Sequence, residues 1–383
     1  MLARLVEAGY ACRHIWQAVI AKQAAFPAPF PVAATSWQER VQWIRDNTEE
    51  YARLEYGVGA ELERSGHKHL VLFDALDRLA DSWPTIRPLA RALFQVALDT
   101  LANRGLRLKL FVRPDMLADR EILAFPDSSK LKARRASLTW RRVDLYALLF
   151  QCLGNDKQHG EMFRTHCLEN FQAPWLGIEG GWALPDSLRR DERLQQAVFD
   201  AIAGPHMAAD PHGHKKGFPY SWLPNHLIDG HGQVSPRSFF AALWRASAEP
   251  TASDWRYALH FNQIKLGVQE ASKIRVAELS QEDYPWVAPL MEPLRGQSVP
   301  CAADEVLALW RRANTLERVS RIPSENVEVR LLPPHFEDGP KAMLKDLEDL
   351  GIIEFLRDGR TQMPDVYRVA FGLGRKGGVK PLQ

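Results

Sequence analysis

Between residues 69 and 112 the chain switches hydrophobic period twice, and this stretch narrows the fold more than any other. His69-Leu-Val-Leu-Phe-Asp74 is a short apolar run that ends in an acid. Pro84 to Asn103 reads as a helix, and Leu106-Arg-Leu-Lys-Leu-Phe-Val112 is a second apolar run. A buried strand, a helix of 20 residues and another strand have the spacing that parallel pairing through a right-handed crossover requires. The sequence therefore predicts a β-α-β unit. A third strand is expected at Ala136–Trp140, ahead of a helix over Arg141–Leu153.

Helical spacing dominates the flanks. Residues 2–24 repeat apolar positions as one helix, and the prolines of Phe26-Pro-Ala-Pro-Phe-Pro-Val32 break it. Ser36 is placed to cap a second helix running to about Gly66, with Glu39 completing a capping box. Residues 157–204 read as mostly helical, Pro205–Pro224 as a loop rich in Gly, Pro and His, and Ser235–Ala248 and Trp255–Leu279 as helices. The chain closes with a helix over Gly339–Leu350, a strand Ile352–Leu356, a turn Arg357-Asp-Gly-Arg360 and a strand Val366–Phe371, which is the order that ends a winged helix. At 383 residues the chain exceeds the size of a single core. We expect three segments: residues 1–155, 156–285 and 286–383.

Three motifs carry chemistry. Asp74 ends the first strand of Leu70-Val-Leu-Phe-Asp74-Ala-Leu-Asp77-Arg78, where a carboxylate can hold Mg²⁺ through water, and Asp77 is within reach of the same strand end. Arg113 ends the second strand in Leu110-Phe-Val-Arg113-Pro-Asp115, and a guanidinium there can pair with a phosphate in a bidentate way. Ser235-Pro236-Arg237 starts a helix with a cap residue, a proline and an arginine in the first turn, where backbone N–H groups favour an anion. Taken alone, each also suits an ordinary solvated turn.

In this order and spacing the motifs resemble the AAA+ and STAND branches of P-loop ATPases, and the Phe73-Asp-Ala-Leu-Asp-Arg78 string looks like the acidic strand of their KAP-type group. The resemblance spans roughly residues 60–250. It implies that Asp74 is the Walker B acid, Asp77 an auxiliary acid, Arg113 the first sensor and Arg237 the second, with ATP and Mg²⁺ as ligands. The fold it implies is an α/β P-loop core with an incomplete parallel sheet, followed by a helical lid region and a winged-helix-like domain. One departure is decisive. The G-x-x-x-x-G-K-[ST] loop that wraps phosphates does not occur in the sequence. The resemblance then implies that the first strand and its loop come from a segment or partner chain outside this sequence, or that the chain is a non-catalytic regulator. Alone, it should hydrolyse ATP poorly.

Charge and composition limit the remaining classes. Forty-nine Lys and Arg against 47 Asp and Glu leave a net charge of +2, so any nucleic-acid role must be local. Lys130, Lys132, Arg134, Arg135, Arg141 and Arg142 supply one such patch, and Arg357, Arg360, Arg368, Arg375, Lys376 and Lys380 gather on and after the expected wing, so DNA is a candidate partner beside a second copy of the chain. His206, His212, His214, His226 and His231 with Asp210 and Asp229 lack regular metal-ligand spacing. Cys12, Cys152, Cys167 and Cys301 form no C-x-x-C pair, which fits a reducing cytoplasm, and no apolar run is long enough for a membrane anchor.

Overall fold

The β-α-β unit forms where the hydrophobic period changes. The computed structural model describes residues 1–80, 82–209, 213–248, 255–280, 284–325 and 332–382, with residues 214 and 323–325 as backbone alone. It divides into two compact units, residues 1–137 with 322–334 and residues 138–321 with 335–383.

In the first unit, helices α1 (Leu2–Glu7), α2 (Cys12–Gln23), α3 (Trp37–Asp46) and α4 (Thr48–Arg64) precede β1 (His69–Phe73), α5 (Trp83–Asp99), β2 (Leu106–Leu110), α6 (Pro114–Ala118) and α7 (Ser128–Ala133). The long helix expected over residues 2–24 is two helices, because Gly9 takes a left-handed conformation at φ +81° and closes α1. The helix expected from Ser36 is likewise divided at Asn47, whose backbone and side-chain amides both donate to the Trp43 carbonyl. Ser36 does cap α3, its Oγ accepting from the Gln38 amide at 3.1 Å.

β1 and β2 pair in parallel with His69 opposite Leu106 and Phe73 opposite Leu110. Alternation then sorts the side chains. Val71, Phe73 and Leu106 are buried, with Leu108 and Leu110 packed on the same core as Trp16, Ile86 and Leu89. Trp16 joins the layers: its Nε1 donates to the Leu89 carbonyl at 2.8 Å, and its ring meets Phe73 edge-on at 5.5 Å. The opposite face carries Leu70 at 45% and Leu72 at 57% exposure, across from Arg107 and Lys109. Among the described residues, neither outer edge of this two-stranded sheet is paired.

The strand expected at Ala136–Trp140 does not form, and residues 135–141 have no regular structure. Their alternation buries nothing, Leu138 being 79% exposed. An extended segment without a neighbouring strand gains no ladder to hold it.

The second unit begins with α8 (Arg142–Gly154) and α9 (Gly160–Phe171), then a hairpin of β3 (Leu176–Ile178) and β4 (Gly181–Ala183), α10 (Asp186–Arg190), α11 (Glu192–Ala203), α12 (Pro219–Asn225), α13 (Pro236–Ser247) and α14 (Phe261–Glu278). The hairpin lies inside the stretch expected to be helical and turns at Glu179-Gly180, with Gly180 at φ +80°. Two side-chain amides hold its β4 edge: Asn155 bonds both the N–H and the carbonyl of Trp182, and Gln151 bonds the Trp182 carbonyl and the Leu184 N–H. α12 occupies part of the expected loop, started by Pro219 at its first turn.

The unit ends with α15 (Val287–Met291), β5 (Cys301–Ala302), α16 (Ala303–Arg312), α17 (Thr315–Glu325), of which the residues from 322 on count with the first unit, α18 (Pro340–Asp349), β6 (Glu354–Phe355), β7 (Arg360–Gln362) and α19 (Asp365–Phe371). β7 lies between β5 and β6, antiparallel to both. The expected turn is present, with Leu356 N–H donating to the Arg360 carbonyl at 2.8 Å. The last strand is not: Val366–Phe371 is helical, and β7 lies upstream at residues 360–362. Its β-branched residues are overridden by burial on α14, where Ser272 Oγ accepts from the Ala370 N–H at 3.0 Å. Where three segments were expected, the chain forms two compact units, with α19 packed on α14 inside the second. Among the described residues, no helix is long and apolar enough to cross a membrane.

Candidate functional site

In a parallel β-α-β unit the crevice that binds ligands lies at the carboxyl ends of the strands. Here those ends carry Asp74, Asp77, Arg113 and Asp115. β1 stops as Asp74 Oδ1 accepts from the N–H of Ala75 at 2.8 Å. Ala75 then adopts a left-handed conformation, φ +54° and ψ +45°, and Leu76–Arg78 make one tight helical turn. This reversal swings Asp77 back across the strand end.

β2 is held beside β1 to its last residue, the Phe111 N–H donating to the Phe73 carbonyl at 2.8 Å. Pro114 then starts α6 with Arg113 at the cap. The Arg113 guanidinium meets Asp77 Oδ2 through Nη1 at 3.1 Å and Asp115 Oδ1 through Nε at 3.4 Å. Side-chain exposures of 30%, 18% and 10% for Arg113, Asp77 and Asp115 place this network partly out of water, where charge-assisted bonds keep more of their strength than on an open surface. Asp74 is exposed at the same strand end.

The structure thus brings Asp77 and Arg113 into direct contact and leaves Asp74 beside them, turned toward its own backbone. Arg237 belongs to the second unit, where it stands in the first turn of α13 and pairs with Glu278 Oε1 at 2.8 Å. The cap hydrogen bond expected from Ser235 is not made.

A groove of about 520 Å³ runs along β1, lined by Trp16, Val19, Trp37, Leu70, Leu72 and Asp74 among others. Sequence reasoning missed its two tryptophans, although the apolar stripe of α2 signals Trp16. It also missed Arg87, which donates through Nε to Asp119 Oδ2 at 2.8 Å and through Nη2 to the Pro334 carbonyl at 3.2 Å. Arg87 sits in the first half of α5 and so at the same end of the unit, but an arginine on a helix carries no sequence signal of an acid 32 residues away.

Other expected groups are dispersed. Lys130 pairs with Asp127 and Arg141 with Asp144, both exposed, while Lys132, Arg134 and Arg135 form no ion pair with a described residue. Arg360 bonds Asp358 in the turn; Arg357 and Lys376 are exposed. Arg375 reaches Asp365 at 3.5 Å. Arg368, expected among the basic residues of the wing, is fully buried and is a structural staple. Of the histidine cluster, His212 and Asp210 lie outside the described residues. His226 donates through Nδ1 to the Trp222 carbonyl and faces Asp365, and burial holds its pKa below the ordinary imidazole value. His231 contacts the Asp349 carbonyl instead. Among the described residues no group of three or more His, Cys, Asp or Glu is gathered as a metal cluster would require.

Compared with family models, curated proteins and solved structures, the chain matches none.

Proposed function

We propose that the first unit is the rear part of a P-loop ATPase module of the AAA+/STAND type, working as a nucleotide-dependent switch or assembly module once a phosphate-binding loop is supplied by another segment or a partner chain. The observation that carries this reading is the Asp77–Arg113 pair at the carboxyl ends of two adjacent parallel strands, with Asp74 exposed beside it. The unfinished sheet supports it too. Parallel sheets are normally covered on both faces, whereas this one shows Leu70 and Leu72 to solvent and leaves both edges unpaired among the described residues.

Asp74 fits a water-mediated Mg²⁺ role: one carboxylate oxygen is fixed by the Ala75 N–H, and the other has no hydrogen-bond partner among the described residues at an exposed strand end. Mg²⁺ held there with ATP would supply neutralisation of phosphate charge. Arg113 would read the terminal phosphate, with Asp77 and Asp115 positioning its guanidinium. Arg237 is assigned the second sensor role. The helix–strand–helix order before β6 and β7, with the sheet order β5-β7-β6, supports a winged-helix-like tail acting as a lid or a DNA reader.

The test is titration of a fluorescent ATP analogue with Mg²⁺ against this chain, alone and with the polypeptide encoded next to it that carries a Gly-Lys-Ser/Thr loop. Binding should appear only in the mixture and weaken by about tenfold or more in Arg113→Ala, the loss expected for a charge-assisted hydrogen bond. Equal binding by wild type, Asp74→Ala and Arg113→Ala in the mixture would overturn the assignment, and so would the lack of any such loop in adjoining coding sequence.

A second reading has one observation of its own. Residues 132–141 form an exposed, basic stretch, which favours a non-catalytic DNA-binding or protein-interaction regulator on an inert ATPase scaffold. It requires salt-dependent DNA binding without nucleotide binding in any mixture.

A further inference from the structure

The segment from Lys132 to Arg141 is exposed at every residue and contains the sequence Arg134-Arg135-Ala136-Ser137-Leu138. After the last turn of α7, where the Arg135 N–H bonds the Lys132 carbonyl, residues 136–140 make no backbone hydrogen bond with any described residue. The next contact is the Arg141 N–H with Asp144 at 3.0 Å. Ser137 therefore sits in an irregular, solvent-facing stretch with two arginines, neither ion-paired to a described residue, three and two positions ahead of it and a 79% exposed leucine directly after it.

We infer that Ser137 is a phosphorylation site for an arginine-directed serine/threonine kinase. Such an enzyme draws its substrate as an extended strand into a cleft with carboxylates for the preceding arginines and an apolar recess for the following residue. Charge-assisted pairing of two guanidiniums supplies the selectivity. Residues 135–141 have no regular structure, so no helix or strand has to melt before the segment can be drawn out. Thr139 stands two residues farther from the arginines and meets the requirement less well.

In the reaction Ser137 Oγ forms a bond to the γ-phosphorus of ATP. The bond from that phosphorus to the β–γ bridging oxygen breaks, ADP leaves with the electron pair, and the hydroxyl proton passes to a carboxylate of the kinase. The product carries a charge of about −1.5 to −2 beside Lys132, Arg134 and Arg135, offsetting much of the local positive field. The inference is independent of the nucleotide reading.

The experiment incubates the full chain with ATP and a purified arginine-directed kinase, such as the catalytic subunit of the cAMP-dependent enzyme, and maps the product by mass spectrometry. One phosphoryl group at Ser137 is expected, lost in Ser137→Ala. The paired change Arg134→Ala with Arg135→Ala should lower kcat/KM by on the order of a hundredfold, about tenfold for each guanidinium. The folded chain should react within about threefold of a free peptide covering residues 131–141, because little ordering has to be undone. The inference fails if the peptide is phosphorylated but the folded chain is not, if the phosphate maps elsewhere and persists in Ser137→Ala, or if loss of both arginines leaves kcat/KM unchanged.

Discussion

Replacing Arg368 with methionine tests how the end of the chain is held to the second unit. The guanidinium has no exposed surface and uses all three nitrogens: Nε donates to Asp365 Oδ1 at 2.7 Å, Nη1 to the Leu373 carbonyl at 2.8 Å and Nη2 to the Val379 carbonyl at 2.6 Å. Methionine keeps much of the volume and removes the charge and donors. Asp365, whose side chain is 4% exposed, would retain, among the described residues, Arg375 at 3.5 Å and His226 at 3.7 Å. Breaking a buried ion pair from one side costs about 3–5 kcal/mol, and a carbonyl left dry adds about 1–3 kcal/mol. Because residues after Phe371 can relax toward water and rehydrate those carbonyls, the expected loss is about 4 kcal/mol rather than the full sum. Urea unfolding of the second unit measures it. Hydrogen exchange localises it, since the amides of Leu373 and Leu382, bonded to the Arg368 and Val369 carbonyls, should lose protection first. Asp365→Asn combined with Arg368→Met removes the stranded charge as well, so the pair should cost less than the two single changes added together. A loss below about 1 kcal/mol for Arg368→Met, or strict additivity in the double variant, would refute the staple.

Asp200 gives a pH signature: burial pushes its carboxyl from 3.8 up to about 6, and its Oδ1 has no hydrogen-bond partner among the described residues. A carboxyl raised in the folded state costs nothing below its unfolded pKa of 3.8, and its cost grows as pH rises through about 6. Asp200→Asn should therefore stabilise by about 1 kcal/mol well above pH 6, after discounting for its partial exposure to water, and by nothing below pH 3.8, read as urea midpoints; equal effects at both ends would sink the argument. Gly267→Ala should destabilise by about 2 kcal/mol or more despite the better helix propensity of alanine, because a Cβ there would lie 2.2 Å from the Ala242 carbonyl oxygen where α13 and α14 cross; a melting temperature at or above that of wild type would contradict it. Leu72→Lys, on the open face of the sheet, should change stability by no more than about 0.5 kcal/mol; on the ATPase reading proposed above it should also block assembly with the loop-bearing polypeptide, and a variant that assembles normally would show that this face is not the one covered.

What the sequence makes legible here depends on whether a local pattern was enough to decide the structure. The strands at 69–73 and 106–110 and the helix between them are readable because run length, helix length and the flanking Gly105 all agree with burial on one face. Ala136–Trp140 shows a similar alternation but has no neighbour to pair with, and alternation cannot report a missing partner. Val366–Phe371 fails the other way. Its β-branched residues suggest a strand, whereas Pro364 before it and Asp365 and Arg368 at i,i+3 are helix signals, and packing on α14 sides with them. The β3–β4 hairpin is hidden because its stabilising partners, Gln151 and Asn155, are polar side chains on a helix over 25 residues upstream. The packing of α19 on α14 was hidden for the same kind of reason, because their contact spans about 90 residues.

At the candidate site the sequence gives the residue types and their strand ends, and the backbone decides which of them meet. If β1 simply ran on, alternation would set Asp74 on the opposite face from Phe73 and carry the later residues away from the second strand. The left-handed turn at Ala75 prevents this, and no residue type announces it, since alanine lacks the freedom of glycine and holds that conformation at a cost of about 1–2 kcal/mol. The cost is met by the structure around it: Leu76 is buried, Asp74 receives the Ala75 amide, and the Asp77 carboxylate reaches Arg113. Replacing Ala75 with glycine would relieve that strain while loosening Asp77, so the effect on folding and the effect on Arg113 run in opposite directions. On the nucleotide reading proposed above, this strained turn would hold the Arg113 guanidinium in place before a phosphate arrives, and Ala75→Gly should then weaken nucleotide binding in the loop-bearing mixture while leaving folding no worse.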